Sequence, residues 1–129
     1  KAIQVCGVFE LTTSATAPTL TVRLKAGSTV LVTQVATVPV NSLTNVGFSA
    51  CYILQGTAAA GASVSVEAGF ISFPSFPTNP PQNDYNIVDQ PVAGIATNGA
   101  LTIQISAQWG TATTGNTVQL HQFYVMELN

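Results

Sequence analysis

The chain has 129 residues, of which three are basic and five acidic, giving a formal net charge of −2, and 47% are hydrophobic. Lys1, Arg23 and Lys25 are its only cations, too few and too scattered to build a nucleic-acid groove or to hold an anionic membrane surface. The apolar content excludes a disordered chain, the length fits a single domain over 1–129, and no apolar run approaches the roughly 18–20 residues that span a bilayer, which excludes membrane insertion by a helix.

In chain order the pattern is strand after strand, punctuated by turn residues. Ala2–Leu11 (AIQVCGVFEL) places Ile3, Val5, Phe9 and Leu11 on one face, and Thr12–Pro18 is a loop. Thr19–Lys25 alternates Leu20, Val22 and Leu24 with Thr21, Arg23 and Lys25; Ala26-Gly27-Ser28 is a tight turn and Thr29–Val38 the returning arm of a hairpin. Val46–Gln55 sets Phe48, Ala50, Tyr52 and Leu54 on one face, and Ser63–Ser72 does the same with Val64, Val66, Ala68 and Phe70. Leu101–Trp109 alternates most clearly, Leu101, Ile103, Ile105, Ala107 and Trp109 against Thr102, Gln104, Ser106 and Gln108. Thr117–Leu128 carries Val118, Leu120, Tyr124, Met126 and Leu128 on one side with Phe123 and Val125 on the other. A strand apolar on both faces is expected at the centre of a sheet or against a neighbour.

One stretch breaks the rhythm. Phe73–Gln90 (FPSFPTNPPQNDYNIVDQ) contains Pro74, Pro77, Pro80 and Pro81 and has no period. Proline fixes φ and removes a ladder donor, so a long, stiff loop is expected over 73–90, and loops of that length often carry function. No segment has a 3.6-residue period. Seven or eight antiparallel strands and one long loop predict an all-β, two-sheet sandwich of the jelly-roll type. With no initiator methionine, no signal peptide and a strand from almost the first residue, the chain is expected to be the C-terminal part of a longer one.

Residues with chemical potential are few. His121 is the only histidine, and no nucleophile-elbow motif accompanies it, so a surface or interface role is expected. One histidine without a carboxylate cluster argues against a transition-metal site. Glu10 and Glu67 lie on separate strands. A glycosidase would need two such carboxylates facing across a cleft, about 5–5.5 Å apart for retention or 6.5–9.5 Å for inversion. Two solvated carboxylates are the simpler expectation. Asp84 and Asp89 with Asn83 and Asn86 offer oxygens to calcium, but their spacing matches no calcium loop and turn formation explains them. Cys6 and Cys51 read first as two buried thiols, with a cross-strand disulfide as the alternative. Trp109 and Tyr52 are expected in the core. Tyr85, with Phe73 and Phe76, is expected on the proline loop as a contact arm, since a stiff aromatic loop loses little entropy on binding. No catalytic residue, cofactor or metal is predicted.

Ser14–Val32 (SATAPTLTVRLKAGSTVLV) and Ile105–Leu120 (ISAQWGTATTGNTVQL), with the terminal Tyr124–Leu128 (YVMEL), resemble recurrent segments of tailed-bacteriophage virion structural proteins. In these a T-P-T-L-x-x-R-x-K-x-G-x-T hairpin precedes an aromatic strand and a closing Q-W-G segment. The likeness runs from about residue 2 to the end; the proline-rich loop departs from it, so no role on that loop follows from the resemblance. It implies a non-enzymatic jelly-roll module of a virion, assembled in the host cytoplasm, at a fibre tip or as capsid decoration. Its expected partners are its own copies, as a trimer, and either the major capsid protein or a host-surface glycan. Outside that class stand a carbohydrate-binding module and a jelly-roll glycoside hydrolase.

Overall fold

A computed structural model describes residues 1–14, 19–38, 42–56, 63–73, 83–85, 90–93, 95, 99–111 and 113–128. It contains β1 (Ala2–Thr12), β2 (Thr19–Ala26), β3 (Thr29–Thr37), β4 (Val46–Gly56), β5 (Ser63–Ser72), β6 (Asn83–Tyr85), β7 (Gln90–Ala93), β8 (Ile103–Trp109) and β9 (Thr117–Leu128). The larger sheet runs β6-β5-β4-β1-β9 with β7 also on β5, and the smaller runs β3-β2-β8. All pairings are antiparallel. The protein is therefore the expected all-β sandwich of two antiparallel sheets. Its first long strand pairs with its last and its second with its last but one, the nested pairing of a long hairpin rolled on itself. The two strands beyond the seven long ones, β6 and β7, lie at and just beyond the end of the proline-rich stretch. That stretch is thus not loop throughout: Asn83–Tyr85 add to the edge of β5, where a few ladder bonds suffice to hold an extended segment.

The core forms where alternation points inward from both sheets. Val5, Phe9 and Leu11 of β1, Phe48, Ala50, Tyr52 and Leu54 of β4, Leu20, Val22 and Leu24 of β2, and Ile71 are buried together. Phe9, Phe48 and Phe73 form a run of stacked rings, with centroids 4.9 and 5.2 Å apart. A polar bridge between the sheets is buried as well: the Tyr52 hydroxyl donates to Gln34 Oε1 at 2.7 Å. Burial holds the Tyr52 phenol far above its ordinary range, so the proton needed for that bond stays in place. Gln34 Nε2 has no partner among the described residues.

Turn chemistry follows the sequence. Gly27, at φ 59°, closes the β2–β3 hairpin, a conformation glycine adopts without steric cost. Gly110 donates its N–H to the Thr19 carbonyl at 2.8 Å, and a Cβ at this position would run into the Thr19 hydroxyl. The glycine of the Q-W-G segment is needed for that close approach. The loop before β4 is fastened to the end of β1: Thr13 N–H donates to the Leu43 carbonyl at 2.9 Å, and Leu43 N–H to the Thr13 hydroxyl at 3.0 Å.

Three expectations are corrected. Cys6 and Cys51 are not free thiols: they face each other directly in the β1–β4 ladder and form a disulfide, with Cα atoms 4.2 Å apart. A bulge at Glu67, between Val66 opposite Leu54 and Ala68 opposite Ile53, shifts the β5 register, so Phe70 falls on the outer face opposite Cys51 while Ile71 enters the core. A second bulge at His121, between Leu120 opposite Phe9 and Gln122 opposite Val8, swaps the faces of β9. Val118 and Leu120 now share the inner face with Phe123 and Val125, and Tyr124 and Met126 lie outside. A single extra residue reverses all side chains beyond it.

Two outcomes are expected. The disulfide closes a sequence separation of 45 residues, so replacing both cysteines with alanine should lower stability by about 2–4 kcal/mol, read as a drop in urea midpoint that reductant reproduces in the unmodified chain. Tyr52→Phe strands the Gln34 carbonyl and should cost about 1–3 kcal/mol, whereas Tyr52→Phe with Gln34→Leu should recover most of that loss; a double variant no better than the single one would contradict the bridge.

Candidate contact surface

The outer face of the larger sheet is ordered in cross-strand rows, because directly opposed residues share a face. The central row reads Tyr124, Cys6, Cys51, Phe70 from β9 to β5. One neighbouring row is Met126, Gln4, Ile53, Ala68 and the other Gln122, Val8, Ser49, Ser72. An apolar centre around a covered disulfide therefore passes into a polar margin. Cys6 is fully buried and Cys51 nearly so, while Tyr124 and Met126 remain 36% and 46% exposed.

The second feature is the flank on which β8 and β9 are the terminal strands of their sheets. Phe9, Ile105, Ser106, Ala107, Val118 and Leu120 line a cleft of about 240 Å³ between them. The smaller sheet has three strands and leaves much of β9 uncovered: Leu120, Phe123 and Val125 are 45%, 41% and 47% exposed despite lying on the inner face. Trp109, at the end of β8, is half-buried and packs against the core from its rim rather than within it, and its indole N–H is shielded without a partner among the described residues. The Arg23 guanidinium donates to Gln108 Oε1 at 2.9 Å across the β2–β8 ladder, tying the outer Thr/Gln row of β8 into its own sheet.

Charge gathers at β9. Lys1 Nζ lies 2.6 Å from Glu127 Oε1; this hydrogen bond holds the Glu127 carboxyl below, and the Lys1 ammonium above, its ordinary range. His121 Nε2 is 3.7 Å from Glu10 Oε2, both half exposed, which agrees with the surface role expected of the histidine.

The sequence-predicted residues do not converge. Phe73 is 3% exposed and stacked on Phe48, so it belongs to the core rather than to a contact arm: it immediately follows β5 and its ring is carried inward with Ile71. Tyr85 is placed by its backbone in β6, opposite Phe70. Phe76, Asn86 and Asp89 lie outside the described residues. Glu10 stands opposite Gly47 at one end of β4, whereas Glu67 sits at the bulge opposite Ile53 and Leu54. The intervening strand length separates them by about 20 Å, so this pair does not form a glycosidase site. No group of three metal-ligating side chains occurs among the described residues, and none of their helices is long and apolar enough to cross a membrane. The face-swapping bulge in β9 was missed because nothing local in QLHQF marks it.

No protein-family model, no curated protein and no solved structure matches the chain.

The placement of Phe73 and Met126 is tested by their contrast in stability. Phe73→Ala should cost about 3–5 kcal/mol and Met126→Ser less than about 1 kcal/mol, both read from urea unfolding; equal costs would contradict the assignment of one to the core and the other to the surface.

Proposed function

We propose that the chain is a non-enzymatic structural and adhesion module of a bacteriophage virion, at a fibre tip or on the capsid surface, that associates with its own copies and with a capsid lattice or host-surface glycan. The observation that carries the adhesive part is the coincidence of very low charge with half-exposed apolar side chains along β9. Surface apolar groups scattered singly need no explanation, but a contiguous stretch marks an interaction site. The resemblance of Ser14–Val32 and Ile105–Leu120 to phage virion segments supplies the setting. The Cys6–Cys51 disulfide suits it too, since a particle assembled in the reducing host cytoplasm ends in an oxidising exterior where such a bond persists.

A carbohydrate-binding module is the second reading, favoured by Tyr124 and Phe70 flanking the disulfide on the outer face. Aromatic rings of this kind offer an apolar face and, in tyrosine, a polar tip. The glycoside hydrolase is not retained, because Glu10 and Glu67 stand too far apart.

Binding through neutral side chains should depend little on ionic strength. Affinity for intact phage capsids or for the strongest ligand on a glycan array should change by less than about 3-fold between 0.05 and 0.5 M NaCl. Capsid binding without glycan binding supports decoration, glycan binding alone supports the fibre tip or a sugar-binding module, and no binding to either contradicts the adhesive role.

A further inference from the structure

β9 is the terminal strand of the larger sheet and, at 12 residues, the longest described strand. Its outer edge, unpaired among the described residues, is about 40 Å long. Natural edge strands are guarded by lysine, proline, bulges or inward-pointing charge; β9 contains neither lysine nor proline, and its bulge at His121 and its inward Glu127 lie on either side of Phe123–Met126, an uninterrupted apolar run with every side chain at least 36% exposed.

The direction of its free backbone groups follows from the ladder. In antiparallel pairs, Cα atoms about 4.5 Å apart belong to non-hydrogen-bonded pairs and those about 5.5 Å apart to hydrogen-bonded ones. Cys6 and Cys51, at 4.2 Å, are a non-hydrogen-bonded pair, so the N–H and C=O of Cys6 turn toward β9 and engage Tyr124. The same groups of Phe123 and Val125 then point out of the sheet.

We infer that β9 is an assembly edge that pairs antiparallel with β9 of a second copy, about a two-fold axis beside Tyr124, so that two larger sheets become one. This rests on the self-association in the proposed function and specifies its surface. In this register Phe123 stands opposite Val125 of the second copy as a hydrogen-bonded pair, each supplying an outward N–H and C=O, and Tyr124 meets its own symmetry mate. Inner face meets inner face and outer meets outer. Glu127 comes opposite His121 of the second copy. The two ion pairs lie on opposite faces of the joined sheet, Lys1–Glu127 on the inner and His121–Glu10 on the outer. Being isologous, the contact forms the Phe123–Val125 pair twice. In this register residues 120–128 overlap, a length of about 30 Å; with a height of about 20 Å for two packed sheets this offers roughly 600 Å² per copy, about 1,200 Å² in total, the lower end of what a stable interface buries. The pairing closes at two copies, so a dimer takes the place of the trimer that the resemblance implies.

The test is light scattering and sedimentation of the chain at micromolar concentration, with amide hydrogen exchange on the same sample. The expected result is a dimer in which Phe123 and Val125 amides are protected. Val125→Lys should raise the dissociation constant about 100-fold or more, by burying an unpaired charge, and return those amides to fast exchange. Val35→Lys, at a 60% exposed site on β3, should leave the dimer intact. A trimer, or a dimer whose Phe123 and Val125 amides exchange freely, overturns the β9 pairing and leaves self-association standing. A monomer overturns both.

Discussion

The pairing of Cys6 with Cys51 is the constraint on which the rest of the molecule depends. It joins the two central strands of the larger sheet, β1 and β4, at directly opposed positions. A slip of one residue would send every side chain of a strand to the other face, and a covalent bond between opposed residues forbids that slip. With register held there, Val5 and Tyr52 must enter the core as neighbours, and the Tyr52 hydroxyl is delivered to Gln34 of the smaller sheet. The same register places Tyr124 beside Cys6 and Phe70 beside Cys51, which makes the outer face apolar at its centre. It also sets which amides of β9 face solvent.

The second consequence is an imbalance between the sheets. The smaller one has three strands and the larger five in its main path, with β7 beside it. Inward-facing side chains of β9 therefore reach past their cover and line an open flank with those of β8. In a chain with so few charges, hydration of ionic groups does little to offset this exposed apolar surface, and the favourable route to removing it from water is contact with another molecule. Fold, low charge and the proposed adhesion are in this sense one property. The rim charges Lys1, Glu127, Glu10 and His121 add little to stability as exposed pairs.

Much of this was legible in the sequence, and the exceptions share a cause. Alternation of Leu20, Val22 and Leu24, or of Phe48, Ala50, Tyr52 and Leu54, is a direct record of a half-buried strand, and these residues are buried as read. Gly27 announced its turn. The faces of β5 and β9 were misread because each contains a bulge, at Glu67 and at His121, and a bulge changes the phase of alternation without changing composition. The apolar character of β9 on both sides reads as a central strand or one packed against a neighbour, and β9 is not central but terminal; periodicity reports that a face is apolar, not what covers it. Phe73 was grouped with the proline loop by adjacency, although its ring completes the Phe9–Phe48 stack. The disulfide was unreadable because its two cysteines are neighbours only through register. The outer-face row was hidden for the same reason, since Tyr124, Cys6, Cys51 and Phe70 come together only after four strands have paired.

The register of the larger sheet is tested most directly by nuclear Overhauser contacts between Hα protons across β1. Non-hydrogen-bonded pairs bring these protons together and hydrogen-bonded pairs hold them apart. The account predicts strong Hα contacts for Cys6 with Cys51 and for Gly7 with Phe123, and none for Cys6 with Tyr124. A strong contact between Cys6 and Tyr124 would contradict it, because the outward groups of β9 would then belong to Tyr124 rather than to Phe123 and Val125.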